Sequence, residues 1–211
     1  MLSDSQQIIF RWNRAALIEA GKGTMIAFSC ILAAFSLLIL LQQVQVVAVE
    51  VQPGLLVKTL ALMGSMAIVE ELIFRVGLLL GLLKLTRRVW LAVVIQALLF
   101  GFAHAWNPGA TYLTVLSNSL GGVMYALAFV RTARFWMPLF LHIAWNFGQA
   151  VTGFNISGMN SYSRILVHLV PLGPAAWSGG QYGLEGSWAG IIARLAVIGL
   201  TLLWTRQRVN R

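Results

Sequence analysis

The sequence predicts an all-α fold, a polytopic transmembrane helical bundle of about six spans with both termini in the cytoplasm. Three observations carry that expectation. Of the 211 residues 59% are hydrophobic and only 10% charged, with a mean hydropathy of +0.81. A soluble domain carries about 25% charged residues, so this composition belongs to a membrane protein. Six apolar runs approach the roughly 20 residues that cross a bilayer. Lys and Arg then gather in alternate connections between those runs, which is how the positive-inside rule marks the cytoplasmic side.

The chain reads as one membrane-embedded domain, 1–211, opening on an interfacial segment, 1–23. Within it residues 5–20 set Ile8, Ile9, Trp12, Ala15, Ala16 and Ile18 among polar and basic neighbours. That pattern predicts an N-terminal amphipathic surface helix that anchors on the inner face. No cleavable signal peptide is expected, because the first apolar run is too long for an h-region and lacks a small-residue cleavage site. The spans are placed at 24–49, 55–83, 89–104, 111–130, 135–154 and 188–204. Arg11, Arg14 and Lys22 precede the first, and Lys84, Arg87 and Arg88 follow the second. Arg131 and Arg134 follow the fourth, and Arg206, Arg208 and Arg211 close the chain. The other connections carry almost no basic residue, so an even number of spans with both ends inside follows.

The net charge of +9 is accounted for by these topological clusters, and no nucleic-acid partner is expected. The single cysteine, Cys30, lies in an apolar run, which excludes a disulfide framework and a thiolate metal cluster. The extracytoplasmic loop, 155–187, is rich in Gly, Ser and Pro and unusually long, as lids and binding elements are. It holds His168 and an apolar stretch, 165–172, that reads as a short interfacial helix. There is no internal repeat and no low-complexity tract.

Three polar constellations lie inside spans. Only six residues of the chain are acidic, and two of them, Glu70 and Glu71, are adjacent within the second span. Each charge at bilayer depth costs at least about 2.5–3.5 kcal/mol, and such groups usually face the bundle interior and serve a function. Glu71 and Arg75 stand at i and i+4, so they share a helix face and can pair, while Glu70 points about 100° away. On the structural reading both glutamates neutralise basic residues, and Arg194 in the sixth span is a spare intramembrane cation that would fit. The third span ends Phe100-Gly101-Phe102-Ala103-His104, with Asn107-Pro108 to stop the helix. The fifth carries His142 and Asn146, again at i and i+4; such polar pairs also simply glue helices together.

Taken together, the inventory suits hydrolysis. A carboxylate and a histidine can deprotonate a water, and imidazole plus amide donors can stabilise the oxyanion formed when water attacks a carbonyl. There is no Gly-x-Ser-x-Gly elbow and no His-Glu-x-x-His zinc motif. The succession Glu-Glu-x-x-x-Arg, Phe-x-x-x-His, His-x-x-x-Asn resembles the CAAX protease and bacteriocin-processing family, glutamic-type intramembrane proteases related to the prenyl-protein endopeptidase Rce. The resemblance covers about 67–147, the catalytic motif core. It implies that Glu70 and His104 activate water, that His142 and Asn146 form the oxyanion site, and that Glu71 with Arg75 is a supporting ion pair, with Phe100 in support. No cofactor is expected: the histidines and glutamates include donors that suit zinc, but every residue has a role without it.

At 1.5 Å rise per residue Glu70 and His142 come to matching depths, whereas His104 comes out about 22 Å above the inner end of its span. Tilt of the third helix, a start beyond Trp90 or local bilayer thinning is expected to bring it level. The expected partners are the lipid bilayer and a membrane-associated protein or peptide substrate, in a prokaryotic inner membrane. Two other classes stay open: a non-catalytic immunity or peptide-binding scaffold, and an ion or proton carrier that uses the two glutamates as a relay.

Overall fold

The structure, a computed structural model, describes residues 9–160 and 165–209. Helix α1 spans Arg14–Leu40 and starts well before residue 24, because Asn13 caps it: its Oδ1 accepts from the Ala16 amide at 3.1 Å. Residues 11–13 are not helical, so no continuous amphipathic helix runs over 5–20; residues 14–20 are the first turns of α1, and 5–8 lie outside the described residues. The first span also ends earlier than residue 49. Past Leu40 the chain turns through Gln42 and forms β1, Val44–Val49, whose β-branched residues suit a strand.

Strand β1 pairs antiparallel with β2, Val167–Pro171, from Val44 opposite Pro171 to Val49 opposite Val167, with an irregularity between Val46 and Ala48. The apolar stretch 165–172 is therefore a strand rather than an interfacial helix. The fold is mainly but not purely α: 73% of the described residues are helical, and the two-stranded sheet joins the end of α1 to the 155–187 segment.

Helix α2, Pro53–Glu71, begins with a proline in its first turn and leads without a break into a π-helical stretch, Leu72–Leu79, and then into α3, Leu80–Thr86. Helices α4 (Val89–Ala103), α5 (Tyr112–Thr132) and α6 (Trp136–Val151) follow. After β2 come a short helix α7 (Ala175–Ser178), a 3-10 turn (Leu184–Gly186) and α8 (Trp188–Val209). Three helical stretches are long and apolar enough to cross a membrane: Arg14–Leu40, Tyr112–Thr132 and Trp188–Arg206; Val89–Ala103 is a shorter apolar helix. Many large apolar side chains on the helices face outward, Leu40, Val57, Leu85 and Leu203 among them. Such a surface suits lipid contact and not water. The chain is an integral membrane protein.

The closest packing is of α1 on α6 and of α4 on α5. Small residues make the second possible: a Cβ on Gly101 would fall 2.0 Å from Ser119 Oγ, and one on Gly122 would fall 2.7 Å from Ala97 Cα. The backbones therefore approach as they do at membrane helix interfaces built on glycine. At the centre of the bundle Trp145, Arg75, Arg194 and Tyr125 are the largest fully buried side chains. Two buried arginines must each find an anion or an aromatic face, and what they find defines the site.

Candidate active site

Adjacent residues of a helix point about 100° apart, and Glu70 and Glu71 accordingly meet different surroundings. Glu71 is fully buried, with its Oε1 3.1 Å from Arg75 Nη1 and 2.8 Å from His142 Nδ1. The Arg75 guanidinium is enclosed by aromatic rings, its Cζ 4.7 Å from the Phe100 centroid and 5.0 Å from that of Tyr125, a cation–π environment for a buried charge. Glu70 keeps 26% of its side-chain surface and faces a cavity, where its Oε2 lies 3.7 Å from His142 Nε2.

That cavity, of about 280 Å³, is lined by Glu70, His104, His142 and Asn146 together. They come from the end of α2, the residue that caps α4, and two successive turns of α6. His104 arrives there although α4 starts at Val89, which removes a start beyond Trp90 as the explanation of its depth. Its Nδ1 is 2.8 Å from the Phe100 carbonyl, which can only accept, so Nδ1 carries the hydrogen and Nε2 the lone pair. The same rule applied to His142, whose Nδ1 donates to the Glu71 carboxylate, leaves its Nε2 towards Glu70. The His142 ring stacks on Tyr125 at 4.3 Å between centroids. No hydrogen bond or ion pair joins Glu70 directly to His104; the two share the cavity, with room for a water between the walls that carry them.

The far side of the cavity is built by residues the sequence motifs do not include. Arg194, read from sequence as a cation for the paired glutamates, instead meets Glu185 at 2.6 Å. It also donates to Ser117 and, at 3.0 Å, to Asn118 Oδ1, and lies over the Trp145 ring. Glu185 accepts from Trp145 Nε1 at 2.8 Å and from Ser157 Oγ at 2.5 Å, while Asn118 donates to the Tyr182 hydroxyl at 2.8 Å. Burial alone would lift the Glu185 carboxyl, but the Arg194 guanidinium and the Ser157 and Trp145 hydrogen bonds hold it below its ordinary value. The Tyr182 phenol is pushed up to about 12, by burial first and then by the Glu185 charge.

The 155–187 segment thus roofs the cavity through Ile156, Ser157 and Glu185. One sequence signal pointed to this wall: Glu185 is among only six acidic residues. Ser157 and Tyr182 gave none, being ordinary residues of a polar loop. His168 is elsewhere, on β2, 3.9 Å from Glu50. Among the described residues no three His, Cys, Asp or Glu side chains are grouped to hold a metal.

Carboxylate, imidazole and carboxamide groups converging on one cavity have the chemistry to activate water and to stabilise an oxyanion. Residues 52–148 match the family described as type II CAAX prenyl endopeptidase Rce1-like. No curated protein and no solved structure matches the chain. The matched stretch holds every motif residue from Glu70 to Asn146 and stops short of Ser157, Glu185 and Arg194. The central part of this chain, residues 52–148, is thus similar to the Rce1-like family of CAAX-type endopeptidases.

Proposed function

We propose that this protein is a glutamic-type intramembrane endopeptidase that hydrolyses a peptide bond of a membrane-associated protein or peptide, removing a C-terminal or sorting segment. The observation that carries the reading is the convergence of Glu70, His104, His142 and Asn146 on one cavity, within the stretch that matches a family of endopeptidases. In this reading a water held by Glu70 and the free Nε2 of His104 attacks the scissile carbonyl carbon and gives up its proton to that pair. The oxygen that becomes negative is met by the His142 imidazole and by the Asn146 carboxamide, which line the same cavity. As the tetrahedral intermediate collapses, the C–N bond breaks and the proton passes to the departing amine.

Glu71 holds Nδ1 of His142 and so turns Nε2 towards the cavity, and Arg75 pairs with Glu71 one turn along the same helix. The topology that goes with this reading is six spans with both ends in the cytoplasm and the 155–187 segment outside, in a prokaryotic inner membrane. Membrane proteomics of cells carrying the wild type or Glu70→Gln tests the function. At least one membrane protein should be longer in the variant cells, and purified Glu70→Gln and His104→Ala proteins should remain folded but hydrolyse nothing. Substantial turnover by well-folded Glu70→Gln would defeat the assignment, and a peptide-binding scaffold would show no length change at all.

A further inference from the structure

A second and larger cavity, of about 460 Å³, lies between the two-stranded sheet and the roof segment, outside the motif core. Its size falls within the range of about 300–1,000 Å³ usual for ligand sites. Val44, Phe154 and Leu169, all buried, give it an apolar surface, and the Asn155 and Gln181 side chains stand at its polar side. No charged side chain is among its described lining residues. Gly153 and Gly183 bring bare backbone to its wall, with φ of +87° and +94°. A Cβ on Gly153 would sit 2.4 Å from the Val167 carbonyl oxygen, and one on Gly183 would sit 1.9 Å from that of Asn155.

This cavity and the catalytic one share a wall. Asn155 and Gly183 face the outer cavity, while Ile156, Ser157 and Glu185, one or two residues further along the same two stretches, face the inner one. The two stretches are tied by the Gly158 amide donating to the Tyr182 carbonyl at 2.9 Å and by Asn155 Nδ2 donating to the Gln181 carbonyl at 2.7 Å.

The lining limits what the outer cavity holds. With no charged group to compensate it, an ionic ligand would lose hydration for nothing. A purely apolar ligand would leave the Gln181 carboxamide, an exposed polar group on the cavity wall, unmatched. Carboxamides and exposed backbone match the donors and acceptors of a peptide main chain, and an apolar floor takes its side chains, the division of labour seen where extended peptides are bound. We propose that the outer cavity is a subsite for an extended, uncharged polypeptide segment of the substrate, next to the bond cut in the inner cavity. The proposal rests on the endopeptidase reading above.

The test uses the full-length Glu70→Gln protein in cell membranes, with the photo-crosslinking residue p-benzoylphenylalanine placed at Gln181, at Met66 in the catalytic cavity, or at exposed and distant Leu85. Cross-linked polypeptides are compared with those that stay long in Glu70→Gln cells. The same polypeptide should be captured at Gln181 and Met66 but not at Leu85. In the otherwise wild-type enzyme, Gln181→Trp should raise KM for that polypeptide about fivefold or more, with kcat within about twofold. Capture at Met66 without capture at Gln181, capture of lipid alone at Gln181, or an unchanged KM for Gln181→Trp would overturn the subsite and leave the endopeptidase standing. No length change in any protein, with no capture at Met66, would bring down the endopeptidase reading and the subsite with it.

Discussion

Glu71 is fully buried between Arg75 and His142, whereas its neighbour Glu70 is 26% exposed to a cavity, with Oε2 3.7 Å from His142 Nε2 and no hydrogen-bond partner for that oxygen among the described residues. Removing one member of a buried pair strands the other charge, at a cost of about 3–5 kcal/mol. Arg75→Ala should therefore unfold at a clearly lower temperature and accumulate poorly, while Glu70→Gln, which puts a neutral carboxamide at a part-exposed position and leaves the Glu71–Arg75 pair intact, should match or exceed the wild type. Thermal unfolding in one detergent measures both, and the opposite order would mean that catalytic and structural glutamates have been exchanged. The histidines bear on metal in the same way: each has its Nδ1 committed, to Phe100 and to Glu71, which leaves one nitrogen apiece facing the cavity. Activity is expected to survive exhaustive chelation, and a stoichiometric metal in elemental analysis whose removal stops hydrolysis would reverse that. The motif residues were legible in the sequence because a charged or imidazole side chain stands out against an apolar run. Ser157 and Tyr182 were not, since a loop in water is expected to be polar and one more hydroxyl there carries no signal.

Among the elements, α4 decides where His104 sits, and its position is set by the glycine contacts with α5. Gly101 lies three residues before His104, with no room for a Cβ against Ser119 and Val115. Gly101→Val should force the two helices apart, with an overpacking cost of about 1–3 kcal/mol or more and loss of turnover. A subtler case is the link from the turn after His104 to α6: Asn107 Nδ2 donates to the Ser157 carbonyl at 3.0 Å, Ser157 Oγ donates to Glu185, and Glu185 accepts from Trp145, next to Asn146. Ser157 has φ of +50°, which costs a non-glycine residue about 1–2 kcal/mol. Ser157→Gly relieves that cost but leaves a buried carboxylate oxygen without its donor, worth about 1–3 kcal/mol. Stability should change little, while kcat falls about tenfold or more, because a misplacement of about 1 Å can cost a hundredfold. Full activity in this variant would show that the link does not position the site. The strands escaped the sequence for a related reason: Val44-Gln-Val-Val-Ala-Val49 continues an apolar run, and only its pairing with residues 167–171, more than a hundred positions away, makes it a strand. Helix positions, by contrast, depend on local apolar runs, and all six expected spans have a helix at their centre.

At the scale of the whole molecule, the 155–187 segment is fastened to the bundle by a ring of polar groups, Asn118, Tyr182, Ser157, Glu185 and Arg194, that links α5, the roof and α8. Two members titrate, and each makes stability depend on pH with its own sign. The Glu185 carboxyl is held below its ordinary value in the folded protein. Its contribution is therefore fully present above the unfolded carboxylate range and is lost as pH falls, below about pH 4, through the lower folded value. The Tyr182 phenol is raised to about 12, so its contribution is present below the unfolded phenol value of about 10 and is lost as pH rises from there to the folded value. The wild-type protein should thus show a stability plateau between these limits in thermal unfolding across pH at constant ionic strength. Tyr182→Phe should flatten the alkaline limb and leave the acid limb in place. Glu185→Gln should lower the plateau, because Arg194 is left without its counter-charge, and should also flatten the acid limb. An acid limb that persists unchanged in Glu185→Gln would show that other groups govern acid unfolding, and that the roof is fastened by packing and not by the Glu185 charge.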